Sequence, residues 1–195
     1  MSSYSESVDQ IAGLVSYFNT NRQMFLIAGY KEAQVRANLI DPFFMALGWD
    51  VHNTKRVAPQ YMPVVVEPSL DDEGQRKAPD YAFRVGRETK FFGEAKKVGV
   101  SIKTDPGPAY QLRRYAWSAK LPISLLTDFE ELSVYDCRTR PSEKDKAATG
   151  RIRYYSVDEY ADRWREIWDI LSYDAVIGGS FDQFAESARG RRGAS

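Results

Sequence analysis

Pro79-Asp80-Tyr81-Ala82-Phe83-Arg84-Val85-Gly86-Arg87-Glu88-Thr89-Lys90-Phe91-Phe92-Gly93-Glu94-Ala95-Lys96 is the stretch from which the rest of the chain can be read. Tyr81 to Val85 and Lys90 to Lys96 hold aromatic and β-branched residues, and the short segment Gly86-Arg87-Glu88 between them carries a glycine. That pattern predicts a β-hairpin. A short turn makes the entry of one strand a neighbour of the exit of the next, so Asp80 and Glu94 should meet. Residues two apart on a strand share a face, so Glu94 and Lys96 point the same way, while Ala95 points oppositely and leaves its carbonyl beside them. Phe91-Phe92-Gly93 runs straight into Glu94-Ala95-Lys96, so these charges interrupt an apolar strand. Gly93 would let another backbone approach closely.

Two carboxylates and a carbonyl are hard oxygen donors of the kind magnesium takes, usually with several waters retained. Mutual repulsion between the acids is relieved by a cation and by Lys96. Hydrolysis of a phosphodiester needs an activated water and stabilisation of the charge that builds on phosphorus. A divalent ion serves both ends, and a nearby lysine orients the water or meets the added negative charge. Asp80, Glu94 and Lys96 offer those roles in one cluster.

Outward from the hairpin, residues 57–79 hold Pro59, Pro63, Pro68 and Pro79 with the acidic run Asp71-Asp72-Glu73 and Gly74, which predicts a long loop around a short strand, Val64-Val65-Val66. Trp49 to Arg56 reads as a first strand. Before it, a helix is expected from near Lys31 to Gly48, with Val35, Leu39 and Ile40 inward, Glu32 in its first turn where a carboxylate suits the helix end, and Pro42 kinking or restarting it at Asp41. Ser7-Val8-Asp9-Gln10 reads as a capping box opening an earlier helix that turns Ile11, Leu14, Val15 and Phe18 to one side.

Downstream, Pro106 or Pro108 fits the first turn of a helix reaching about Ala119, on which Gln111 and Tyr115 share a face, as do Tyr110 and Arg114. Ile123 to Thr127, Leu132 to Asp136 and Ile152 to Tyr155 follow as strands, with the polar segment 138–150 before the last. Ser156-Val157-Asp158-Glu159 and Ser180-Phe181-Asp182-Gln183 read as two more capping boxes. The order of elements predicts an α/β domain, a central mixed β-sheet flanked by helices. The small, basic end Ala188–Ser195 suggests a piece of a longer chain.

The 195 residues carry 27 Lys and Arg against 27 Asp and Glu, so bulk charge names no nucleic-acid partner and any such contact would be local. One cysteine, Cys137, excludes an internal disulfide and reads as a buried or idle thiol; one histidine, His52, reads as a strand-edge residue. Metal chemistry would therefore rest on oxygen ligands, magnesium or manganese rather than zinc. The absence of a membrane-length apolar run or a signal-like N-terminus makes the cytoplasm the default expectation, with no membrane contact.

Asp80 after Pro79, then Glu94-Ala95-Lys96, then Gln111-x-x-x-Tyr115, resembles a PD-(D/E)XK nuclease with the added Gln–Tyr motif of RecB-like members. Glu32-Ala33-Gln34-Val35-Arg36, Leu39-Ile40-Asp41-Pro42-Phe43 and Ala46-Leu47-Gly48-Trp49-Asp50 resemble the opening of restriction-enzyme nuclease domains, those of type I motor subunits and of single-chain type IIG enzymes. Leu125 to Asp136 is similar to the strand pair that follows there. The resemblance covers about residues 30–185 and is strongest to type IIG enzymes. It implies a restriction-endonuclease-like fold, with a nuclease domain over 1–175 and the start of a helical connector over 176–195.

It further implies Asp80 and Glu94 as metal ligands with Ala95 and a further carboxylate, Glu32; Lys96 as the catalytic lysine; Gln111 as a catalytic residue that positions the site; and Tyr115 as its packing support. Lys97, Arg113 and Arg114 become candidates for phosphate contacts. The implied cofactor is Mg2+, with Mn2+ as substitute. The implied partners are double-stranded DNA, a methyltransferase and a target-recognition domain farther along the parent chain, and a second copy for cutting both strands. A RecB-like nuclease acting from DNA ends and a non-catalytic nucleic-acid- or protein-binding module on the same scaffold are the alternatives. Retention of both acids and the lysine favours catalysis over the latter.

Overall fold

The computed structural model describes residues 3–66 and 79–189. Pro68, the acidic run 71–73, Gly74 and the residues from Gly190 onward lie outside the described residues. Helix α1 spans Tyr4–Phe25, and its cap is Ser3, whose hydroxyl accepts from the Glu6 amide while Glu6 returns a bond to the Ser3 amide. The capping box therefore stands one turn earlier than Ser7-x-x-Gln10. Ser7 lies inside the helix, and its hydroxyl donates to the Tyr4 carbonyl and accepts from the buried Trp164 indole. Ile11 and Phe18 are buried as the periodicity requires.

Helix α2 (Glu32–Val35) passes into a π-helical turn, Arg36–Ile40, and then into α3 (Asp41–Ala46). Pro42 explains the π turn. Its ring would strike the carbonyl four residues back, and proline brings no amide to bond it. Widening the winding by one residue, with the Asp41 amide bonded to the Arg36 carbonyl, accommodates the proline without ending the helix. The helix stops at Gly48, which takes φ 84°, as a C-terminal glycine can.

Trp49 to Arg56 forms turns, not the expected strand. The Asp50 carboxylate accepts from the Thr54 and Lys55 amides and folds the chain back, with Asn53 and Arg56 at positive φ. His52 is exposed on this turn. Trp49 is buried, its indole bonded to the Leu171 carbonyl.

Strand β1 (Val64–Val66) pairs with β2 (Tyr81–Val85), and β2 pairs with β3 (Glu88–Ala95) through the expected turn at Gly86. After β3, helix α4 (Pro106–Ser118), capped by Asp105, crosses over to β4 (Ile123–Thr127), which lies parallel to β3. Strands β5 (Glu131–Asp136) and β6 (Arg151–Ser156) extend the sheet antiparallel. The result is a six-stranded mixed sheet in sequential order, β1 to β6, with the single parallel pair at its centre.

Helix α4 covers one face of the sheet, where Leu112 and Ala116 pack with Leu126, Tyr135 and Cys137. Burial pushes the Cys137 thiol up to about 12, which leaves it inert. The other face carries α1, α3, α5 (Tyr160–Leu171), α6 (Tyr173–Gly178) and α7 (Ser180–Ser187), with an aromatic core that includes Phe43, Phe83, Phe91 and Trp164. The Ser156–Glu159 capping box is present, through one 3₁₀ turn ahead of α5. Ser180 caps nothing: its hydroxyl donates to the Asp169 and Ala175 carbonyls. Residues after 175 share this core, because Phe181 is buried and stacks on Phe91 with ring centroids 5.3 Å apart. Among the described residues no helix is long and apolar enough to cross a membrane.

Candidate active site

The register of the hairpin pairs Tyr81 with Gly93. The next pair outward therefore sets Asp80 beside Glu94 at the open end of the hairpin. Tyr81 and Phe91 point to the aromatic core, so by alternation Asp80, Phe92 and Glu94 face the α4 side. Gly93 is needed for side chains rather than for an approaching backbone. A Cβ there would stand 3.1 Å from a Phe83 ring carbon and 3.4 Å from Leu125 and Tyr81.

Both acids are fully buried, at 0% exposure. Such burial demands compensation, and each carboxylate has a cation against it. Lys96 Nζ donates to Glu94 Oε1 at 2.6 Å, and Arg36 Nη1 donates to Asp80 Oδ1 at 3.2 Å. Asp80 Oδ2 also accepts the Ala95 amide at 2.8 Å, and Gln111 Nε2 donates to Glu94 Oε1 at 3.1 Å. The Lys96 amide donates to the Thr127 carbonyl, which prolongs the parallel pairing by one residue and fixes the backbone beneath the ammonium. Four elements thus converge: the π turn, the start of β2, the end of β3 and the first half of α4.

Chemically this is a pair of oxygen donors held rigidly by a sheet, with two cations and one amide at its rim. Each cation side chain is about 15% exposed, so the cluster opens to solvent on their side. Asp80, Glu94 and Lys96 are brought together as the hairpin spacing predicts, and Gln111 joins them from α4, the place the resemblance implies. Glu32 lies half-buried at the first position of α2, and among the described residues no three His, Cys, Asp or Glu side chains form a metal-holding group.

The basic candidates separate. Arg113 does not reach outward: it is 3% exposed and donates to Asp145 at 2.7 Å, so its guanidinium braces the 138–150 segment instead of meeting phosphate. Arg114 is exposed, its guanidinium 5.4 Å from the centre of the half-buried Tyr115 ring. Lys97 is half-buried, with Nζ 3.4 Å from the Ala28 carbonyl.

Arg36 had no assigned role in the sequence. Its signal was its position four residues after Glu32, on a helix expected to turn Val35 and Leu39 inward. The structure adds a second contact for it, the Tyr81 ring at 5.3 Å from the guanidinium carbon. The Tyr81 hydroxyl donates to Asp41 at 2.6 Å, and burial, then Asp41, holds this phenol far above its usual range and neutral.

Comparison with known proteins bears on this cluster. The chain is similar to a restriction enzyme. Over 176 residues it is 38% identical to the type II restriction enzyme and methyltransferase RM.Eco57I of Escherichia coli, a match covering 89% of this chain and 18% of that protein. Wherever its ends fall, a stretch covering 89% of 195 residues includes residues 32–115, where the whole cluster lies. The chain therefore spans under one fifth of RM.Eco57I. No family model matches the sequence, and no solved structure matches it.

Proposed function

We propose that this chain is the DNA-cleaving part of a restriction-modification enzyme, a magnesium-dependent endonuclease of PD-(D/E)XK type that hydrolyses phosphodiester bonds in double-stranded DNA. The observation that carries the reading is the convergence of Asp80, Glu94, Lys96 and Gln111 at one end of the central hairpin. The similarity to RM.Eco57I supports the same assignment.

The donor set fits a hard divalent ion. Asp80, Glu94 and the Ala95 carbonyl would hold magnesium, or manganese in its place, with water completing the shell and Glu32 as a further carboxylate ordering that water. When bound, such an ion lowers the pKa of a coordinated water and polarises a phosphoryl oxygen.

The chain's own groups do the rest. Lys96, held by Glu94 and by its anchored backbone, presents an ammonium to the attacking water and to the charge building on the phosphate. Gln111 fixes the rotamer of Glu94 from α4 and so sets the direction of its oxygens. Tyr115, four residues on and on the same helix face, would support Gln111 by packing. Arg114 and Lys97 lie nearby as phosphate contacts that position a duplex without reading its sequence.

One such cluster cuts one strand, so double-strand cleavage would use two copies. A methyltransferase and a target-recognition region in the same polypeptide would be the natural partners, by analogy with the two activities in the name RM.Eco57I. The test is nicking of supercoiled plasmid with magnesium or manganese. Wild type is expected to nick only with the ion present, and Asp80→Asn, Glu94→Gln and Lys96→Ala to lose about 10²–10³ or more in rate. Equal nicking by all four proteins would refute the assignment.

A further inference from the structure

Among the described residues, the contacts of the two buried acids balance in sign. Two buried carboxylates face two cations, Arg36 on Asp80 and Lys96 on Glu94. A divalent ion held by Asp80 would set further positive charge against the Arg36 guanidinium in a largely buried place, where charge is costly unless paired. One resident cation therefore has to leave its carboxylate when an ion binds.

Arg36 is the one built to do so. Lys96 grows from the same strand as Glu94, two residues on, and its backbone is bonded to Thr127, so ammonium and carboxylate move as one unit. Arg36 approaches Asp80 from a different element across 44 residues of sequence, through the longer of the two contacts, 3.2 Å against 2.6 Å. Its guanidinium also lies 5.3 Å from the Tyr81 ring centre, an aromatic contact that does not depend on the Asp80 carboxylate. Asp80 does not depend on Arg36 for its position, because its other oxygen is fixed by the Ala95 amide at 2.8 Å.

We infer that Arg36 is a resident counter-ion that competes with the divalent metal for Asp80, setting the affinity of the site and yielding Oδ1 when metal arrives. This rests on the metal-site reading above and names how that site is regulated. Competition is reciprocal: the Arg36 contact weakens metal binding by the factor by which bound metal weakens that contact.

The experiment is a titration of this chain with Mn2+ alone, without DNA, followed by calorimetry and by the loss of free Mn2+ signal in electron paramagnetic resonance. Arg36→Gln is expected to bind Mn2+ about tenfold tighter than wild type or more, the scale of one lost charge-assisted hydrogen bond. Arg36→Lys, which keeps the charge but loses the planar fork and its stacking, should fall between them. Asp80→Asn should bind least.

Should Arg36→Gln fail to fold, Arg36→Lys still decides, because it keeps a positive charge beside the buried acid and must bind more tightly than wild type. Arg36 variants that bind Mn2+ as well as wild type, or less well, would overturn the inference while leaving the metal site intact. Binding that survives both Asp80→Asn and Glu94→Gln unchanged would instead remove the metal site itself, and this inference with it.

Discussion

Asp80 Oδ2 accepts the backbone amide of Ala95 at 2.8 Å, so the side chain that opens strand β2 closes the end of strand β3. The same carboxylate serves the hairpin as a bond and the site as a donor. Its two roles can be separated by substitution. Asp80→Asn keeps an oxygen for the Ala95 amide and fills the same volume, whereas Asp80→Ala removes the acceptor and strands Arg36 at a buried position. Urea unfolding should show Asp80→Ala destabilised by about 3–5 kcal/mol, the cost of breaking a buried pair. Asp80→Asn should lose about half of that or less, while both variants are inactive in nicking. Equal destabilisation would mean that the charge, not the hydrogen bond, carries the structural role.

Gln111 touches Glu94 but neither Asp80 nor Lys96 through any bond seen here. It is a positioning residue, and Gln111→Ala should lower the nicking rate about 10- to 100-fold, as loss of a group supporting a metal ligand does. The deficit should shrink at high Mn2+ concentration, because a loosened Glu94 binds the ion less well but still binds it. Gln111→Glu should be worse than Gln111→Ala, since it sets a like charge against a buried carboxylate. Nicking rates over a Mn2+ series measure all three, and a rate for Gln111→Ala that does not respond to Mn2+ would exclude this role.

Arg113 and Arg114 are adjacent in sequence and opposite in environment. Arg113→Met should cost about 1.5–3 kcal/mol in unfolding, the scale of a lost charge-assisted hydrogen bond to Asp145, and should leave duplex affinity unchanged. Arg114→Ala should do the reverse, weakening duplex binding and flattening its salt dependence by about one ion.

Acid titration gives a second check on this pair. Burial works against the Asp145 carboxylate, yet the Ser142 amide and Arg113 outweigh it and hold the group below its usual 3.8. A carboxyl depressed in the folded state contributes stability above its unfolded value and loses it as pH falls through the folded one. Wild type should therefore shed this contribution only below about pH 4, and Arg113→Met should show less of that acid-side loss.

Gly93 gives a prediction about packing alone. Its α-carbon is hemmed in by Phe83, Leu125 and Tyr81, so Gly93→Ala should destabilise by about 1–3 kcal/mol and Gly93→Val by more, the range for overfilling a packed core. Thermal unfolding would show it, and a neutral Gly93→Val would contradict the register drawn here.

The hairpin, helix α4 and strands β4 and β5 were legible because each is marked by its own local chemistry: a glycine turn, prolines in a first helical turn, alternating apolar runs. Asp80, Glu94 and Lys96 were legible for the same reason, since a short turn and the two-residue alternation of a strand bring them together, whereas Gln111 was placed there only by the family resemblance. Trp49 to Arg56 misled because Trp49 is buried by partners far along the chain, Phe83, Phe91, Leu171 and Tyr173, while Asp50 folds the backbone through its side chain. Ser7 and Ser180 misled because serine followed by an acid or amide three residues on is also compatible with a hydroxyl bonded back to a helical carbonyl. Local reading could not assign Arg113 and Arg36 their partners. Which arginine is buried and which carboxylate it meets depends on elements joined only in the finished fold.

The wide turn at Arg36–Ile40 fixes the bearing of Arg36 as well as accommodating Pro42. Successive residues of an α-helix are rotated by about 100° about its axis, so removing either Ala37 or Asn38 would shift the residues before it by that angle relative to those after it. Leu39 and Ile40 are held by the core, and the mismatch would fall on the other side, swinging Arg36 away from Asp80. A single-residue deletion in an exposed stretch of helix would then silence an electrostatic contact without altering any residue that makes it.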